Sequence, residues 1–247
     1  MGHEKLESMI HPIYYYICVY LILGAVGMYL ANRKANQLVR KQRWLKYCTY
    51  IVIVGSILGG IFLEKFFLLT GVIAIVGFFE IIQALSLSPK RLLNFSVIFV
   101  YILIACGLVL FSLHLKKDFL LFIYFQVFTF DGFSQITGQL FGRTQLMPQI
   151  SPGKTVEGLI GGITFCLLSA VLAKDWVGFS LPNVLALGLF TGVLAFSGDT
   201  LASYVKRLCH LKDYSNLLPG HGGFLDRFDS LMMTGMGYVC LHYLKVL

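Results

Sequence analysis

Six stretches of this chain are apolar over about 18 residues or close to it, long enough at 1.5 Å per residue to cross most of a hydrocarbon layer. They run Pro12–Ala31, Tyr47–Leu63, Phe66–Leu85, Leu92–Leu113, Val156–Ala173 and Asn183–Ala202. Phe119–Gly138 and Ser230–Leu247 repeat the pattern with polar residues inside it. In lipid no backbone group can go unpaired, and nothing here alternates with period two over strand lengths, so the segments read as helices rather than barrel strands. The expected fold is all-α, a polytopic integral membrane helical bundle of about eight transmembrane helices. Composition agrees: of 247 residues 57% are hydrophobic and 13% charged, roughly half the charge of a soluble domain.

Other classes are disfavoured. Met1–Met9 carries Glu4 and Glu7 ahead of a run long enough to span, so no cleavable leader is expected. Leu6 stands where a myristoylation signal needs Ser or Thr. The net charge of +8 lies in short connections rather than a basic domain, which argues against nucleic acid as a partner. Cys18, Cys48, Cys106, Cys166, Cys209 and Cys240 are scattered singly, as small packing residues are.

The stretch Asn32–Lys46 reads as a loop with Arg33, Lys34, Arg40, Lys41, Arg43 and Lys46, a density that keeps it in the cytoplasm. Eight spans then leave six of the 20 Lys and Arg outside: Lys5, Lys65, Lys116, Lys117, Lys174 and Lys245. On this arrangement Glu80, Gln83, Asn94, Asp131, Gln135, Gln139, Glu157 and Asp199 fall toward the cytoplasmic ends of their spans, which predicts a polar site opening to that face. Gln83, Asn94 and Gln139 are better read as bonds between helices.

The segment from Ser197 to Ser230 reads as a polar loop between two spans. Asp226 and Asp229, three apart, share a helix face; Asp199 closes the preceding span. Convergent carboxylates suit Mg2+, which takes the rest of its shell from water and phosphates. His221-Gly222-Gly223 offers backbone that can turn N–H groups toward an anion, and Lys206, Arg207, Lys212 and Arg227 add positive charge. Composition alone allows the plainer reading of a solvated loop joining two helix ends.

The run from Ser203 through Lys206-Arg207, Lys212-Asp213, Ser215 and Leu218-Pro219-Gly220-His221-Gly222-Gly223 to Asp226-Arg227-x-Asp229 resembles the long motif of the phosphatidate cytidylyltransferase (CDP-diacylglycerol synthase) family. Ser151-Pro152-Gly153-Lys154-Thr155-Val156-Glu157-Gly158, followed by Gly161-Gly162, is similar to that family's S-P-x-K-T-x-E-G segment. Asp131, Gly138 and Phe141-Gly142-Arg143 fit the stretch before it. The resemblance is specific over Asp131–Ser230, so the chain divides into an N-terminal transmembrane region, 1–118, and a transmembrane catalytic region, 119–247.

The resemblance implies transfer of CMP from CTP to phosphatidate, giving CDP-diacylglycerol and pyrophosphate. It makes Asp199 and Asp226 the metal ligands, with Asp229 either a third ligand or a support behind them, for Mg2+ with room for a second cation. Lys206 and Arg207 would hold phosphates; Ser151, Lys154 and Thr155 would serve the nucleotide, with Asp131, Lys212, His221, Gly222, Gly223 and Arg227 in the same cavity. Lys206 and Arg207, read as the start of the loop, are expected at headgroup depth. The expected partners are CTP, a lipid phosphate and, compatibly, a second copy of the chain in a homodimer. The expected location is the cytoplasmic (inner) membrane.

Ala202 stands where the family commonly has Glu, which puts the lipid acceptor in question more than the reaction. Another lipid phosphate, a catalytically degenerate scaffold and a small-solute transporter are the rival readings; a transporter should show inverted repeats, which the sequence lacks. Gly153-Lys154-Thr155 is not the tail of a P-loop, because Pro148 stands where the first glycine is required.

Overall fold

The computed structural model describes residues 36–88, 91–218 and 222–245, together with positions 13, 15–22, 25, 26, 29, 32 and 33. The first expected span, Pro12–Ala31, lies partly outside the described residues; its described positions are helical.

Helix α1, Gln37–Phe62, begins a full ten residues before the apolar run. Asn36 caps it, accepting the amide of Val39 at 2.9 Å, and the Lys, Arg, Gln and Leu that follow are good helix formers. Most of the basic stretch read as a loop therefore sits on a helix. Helices α2 (Phe66–Leu85), α3 (Arg91–His114) and α4 (Lys117–Phe141) follow the apolar segments closely. A short antiparallel hairpin comes next, β1 (Gln145–Met147) and β2 (Ser151–Thr155), the only strands among the described residues apart from a single bridge between Leu218 and Gly222. Thr155 ends β2 and caps α5 (Val156–Leu172) by accepting the Gly158 amide at 3.1 Å.

After the one-turn α6 (Lys174–Val177), α7 runs Leu181–Leu208, well past Asp199. Lys206 and Arg207 are thus in the last turns of a helix, not at the start of a loop. A 3₁₀ turn, Leu225–Arg227, leads into α8, Asp229–Tyr243. Among the described residues five helices, α1–α4 and α7, are long and apolar enough to cross a membrane; α5 is a shorter apolar helix of 17 residues and α8 has 15.

Helix α4 is the axis of the bundle: Phe122, Ile123, Phe125 and Gln126 have no exposed surface. Tyr16 packs on Phe125, Tyr20 on Phe128 and Phe133, and Tyr50 of α1 stacks on Phe128. Against its other side α5 approaches closely, because its glycines leave room. A Cβ at Gly158 would lie 2.8 Å from the Ser134 carbonyl oxygen, and one at Gly162 2.8 Å from the Ser134 Cβ. In lipid, such small-residue contacts supply much of the packing that the hydrophobic effect supplies in water. By contrast Leu92, Phe95 and Phe99 of α3 are 83%, 72% and 64% exposed, a run that would be a liability in water and suits a lipid-facing surface.

Candidate active site

One cavity of about 710 Å³ collects the polar groups of α1, α4, β2, α5, α7, the loop after α7, and α8. Asp131, Ser151, Lys154, Thr155, Asp199, Lys212, Gly222, Asp226, Arg227 and Asp229, expected to work together from sequence, all line it. Lys206, Arg207 and Gly223 are not in its wall, and His221 lies outside the described residues.

Helix α7 and strand β2 bring two of these together. The Lys154 ammonium reaches from the hairpin to α7, donating to the Thr200 hydroxyl at 2.9 Å and standing 3.2 Å from an Asp199 carboxylate oxygen. Asp199 keeps 44% of its side chain exposed, so one side of the carboxylate stays open to the cavity. Asp131, on α4, accepts the Ser230 hydroxyl at 3.1 Å from the first turn of α8. Asp229 accepts the Ser230 amide at 2.8 Å and faces the same space.

Asp226 is differently placed. It is in the 3₁₀ turn rather than on the face of α8, and its side chain is 2% exposed. One oxygen pairs with the buried Lys206 ammonium; the other accepts the amides of Tyr214 and Gly223, both at 3.0 Å. Gly223 allows this turn to close, because a Cβ there would fall 2.7 Å from the Asp226 oxygen. The glycine pair expected to cradle a ligand anion thus directs one N–H onto a carboxylate of the chain itself. Arg207 also turns inward to the backbone, donating to the carbonyls of Ile150 and Leu211, each at 2.9 Å, so it braces the hairpin turn against the end of α7.

Several expected cavity groups do other work. The Glu80 carboxylate, 4% exposed, accepts the amides of Phe224 at 2.8 Å and Leu225 at 2.6 Å, and the Ser215 hydroxyl. It anchors the loop carrying Asp226 to α2, 145 positions away in the chain. Glu157 accepts the amides of Arg143 and Thr144 at 3.1 and 3.2 Å, fixing the entry to the hairpin. Asn94 donates to the carbonyls of Leu85 and Ser88, the interhelical role expected of it. Of the eight polar span residues, Asp131, Gln135 and Asp199 line the cavity.

Ala202 faces away from it, into a separate apolar pocket between α2, α3, α7 and α8. Beside it the Tyr214 hydroxyl donates to the Ala202 carbonyl at 3.2 Å. Burial, with Asp229 and Asp226 nearby, pushes that phenol well above its ordinary range and keeps it a neutral donor. Lys46 of α1, read from sequence as part of a topology signal, lines the cavity instead, and so does Tyr50 of the same helix. No local signal marks them, because only the packing of α1 beside α4 brings them there.

For a divalent cation the donor set is open rather than closed. Among the described residues no three His, Cys, Asp or Glu side chains converge closely enough to hold a metal by themselves. Single carboxylates facing a cavity of this size still fit Mg2+, which binds through one or two carboxylates plus water and substrate phosphates.

Residues 9–246 match the sequence profile of the cytidylyltransferase family. The phosphatidate cytidylyltransferase of Aquifex aeolicus (strain VF5) is 40% identical over 116 residues, 47% of this chain and 44% of that protein. That of Bacillus subtilis (strain 168) is 39% identical over 110 residues, 44% of this chain and 41% of the relative. The uncharacterized protein YnbB of Escherichia coli (strain K12) is 44% identical over 98 residues, 39% of this chain and 33% of its own. In each case the match spans less than half of the relative's length.

Proposed function

The chain belongs to the cytidylyltransferase family, and from that premise we propose that it transfers CMP from CTP to a lipid phosphate, phosphatidate being the acceptor. A phosphate oxygen of the lipid attacks the α-phosphorus of CTP, the bond from that phosphorus to the bridging oxygen breaks, and pyrophosphate leaves. CDP-diacylglycerol is the other product. The observation that carries this reading is the cavity itself, whose lining combines Asp131, Asp199 and Asp229 with Lys154, Lys212 and Arg227.

Both reactants are anions, so this site works by charge and alignment and needs no covalent nucleophile. Lys154, held between Asp199 and Thr200, is fixed where a triphosphate can meet it. Lys212 and Arg227 are exposed and bring charge to the rim. Ser151 and Thr155 present polar groups from β2 beside the nucleotide. Asp199 and Asp229, with Asp131 behind them, would hold Mg2+; Asp226 joins them where the Lys206 ammonium gives up its oxygen. Bound there, the cation would neutralise triphosphate charge and polarise the phosphoryl group. The site opens to the cytoplasm, where CTP is.

The test is pyrophosphate release by the purified chain in detergent–lipid micelles, with CTP, Mg2+ and phosphatidate. Release that requires all three supports the assignment. No release with phosphatidate, but release with another lipid phosphate, would reassign the acceptor; release with none would favour a scaffold.

A further inference from the structure

The second cavity is an apolar pocket of about 180 Å³ between α2, α3, α7 and α8, and it meets the polar cavity at Asp229, which lines both. Helix α7 is the partition: Phe196 and Asp199 face the polar side, while Gly198, Ala202 and Val205 face the pocket. Asp229 stands at the pocket's polar end and Tyr204 at its exposed edge, while its other hydroxyl side chains have their hydrogen bonds made within the protein. The Tyr101 hydroxyl donates to the Ala74 carbonyl at 2.7 Å, that of Tyr214 to Ala202, and that of Ser96 to Leu92 at 3.3 Å. Away from the Tyr204 hydroxyl at its exposed edge, the wall therefore offers aliphatic groups and aromatic rings, so an apolar occupant loses nothing by entering. Of its lining, Val100 of α3 and Tyr204 of α7 are 41% and 44% exposed, and Val100 shares its helix with the lipid-facing Phe95 and Phe99.

We propose that this pocket seats one hydrocarbon chain of the lipid phosphate whose headgroup enters the polar cavity, with Ala202 setting the width of the seat. The inference rests on the reading of the chain as a lipid-phosphate cytidylyltransferase. An amphiphile needs an apolar and a charged compartment sharing a wall, and the two cavities share one at Asp229. Alanine at position 202 adds no polar group to the apolar side of α7 and leaves that wall open.

Two measurements on the full chain in mixed micelles test this. The first labels the wild-type protein with a phosphatidate bearing a photoreactive group in one acyl chain, without CTP. Adducts are expected at Val97, Leu201, Met232 or Met233, reduced by excess unlabelled phosphatidate; adducts confined to the outer residues Phe95 and Phe99 overturn the proposal. The second compares kcat/KM for dioleoyl and dihexanoyl phosphatidate in Val97→Trp and Ala202→Leu. Filling the pocket should lower the dioleoyl-to-dihexanoyl ratio about tenfold, the scale of a methylene-sized misfit in an apolar site, while KM for CTP is unmoved. Phe95→Trp, outside the pocket, should leave the ratio alone. An unchanged ratio in both filled variants overturns the proposal and gives the pocket to bulk membrane lipid. Competed adducts in a protein that releases no pyrophosphate would keep the lipid seat and remove the enzymatic reading.

Discussion

Lys206 and Asp226 form a buried ion pair that ties the last turns of α7 to the 3₁₀ turn ahead of α8, with the aspartate's second oxygen held by two backbone amides. The pair stands at the back of the cavity and sets how the loop between the two helices closes. Removing one partner of a buried pair leaves the other charged and uncompensated.

Asp226→Asn is therefore expected to lose most activity and to cost about 3 kcal/mol of stability, read by thermal unfolding in detergent. Pairing it with Lys206→Met should recover much of the stability and none of the turnover. Near-normal turnover in a folded Asp226→Asn protein would take Asp226 out of the working site.

Glu80 should behave as a remote anchor of the same loop. It accepts three hydrogen bonds from Ser215, Phe224 and Leu225, and bonds to a charged acceptor contribute about 1.5–3 kcal/mol each. Glu80→Ala should speed amide exchange at Phe224 and Leu225 and lower kcat with little change in KM for CTP. Glu80→Gln should recover part of both. Unchanged exchange at those amides would show that the loop stands without α2.

Lys154→Ala should weaken use of CTP, because its ammonium sits in the cavity wall between Asp199 and Thr200. Loss of one charge-assisted contact at about 1.5–3 kcal/mol corresponds to roughly one to two orders of magnitude in kcat/KM. Arg207→Ala, which frees the hairpin turn from α7, should lower kcat for both substrates together. A selective loss of lipid use in Arg207→Ala would instead put its guanidinium on the lipid phosphate.

Single cysteines at Arg40 and Asn216, both exposed, in a background lacking the native six, should be labelled by an impermeant reagent from the cytoplasmic side only. Labelling of Asn216 from the opposite side would reverse the route by which CTP enters.

How far the sequence reaches can be judged element by element. Phe66–Leu85 is apolar but for Thr70, Glu80 and Gln83 and is found with the same bounds as α2, because length and mean hydropathy decide a span in lipid. Asp131, Lys154, Asp199 and Asp229 can be grouped as one site from the chain alone, since their segments carry charge that a membrane tolerates only around a cavity. The ends of α1 and α7 are hidden: Asn36 capping ahead of a basic run, and a helix continuing beyond Asp199 to Leu208, depend on local backbone bonding that hydropathy does not register. The division of labour among the carboxylates is hidden more deeply. Asp226 and Asp229 look alike in the chain, yet one is enclosed by Lys206 and two amides while the other faces open space. Glu80, a carboxylate in an apolar helix, can be marked as functional from sequence, but its partners lie more than 130 positions away. Composition thus determined the solvent, the helices and the chemical character of the site, because those follow from each segment's own residues. Which carboxylate meets a ligand, and which holds the chain to itself, was decided only by the packing of α2, α7 and α8, which sets what stands within hydrogen-bonding distance of each oxygen.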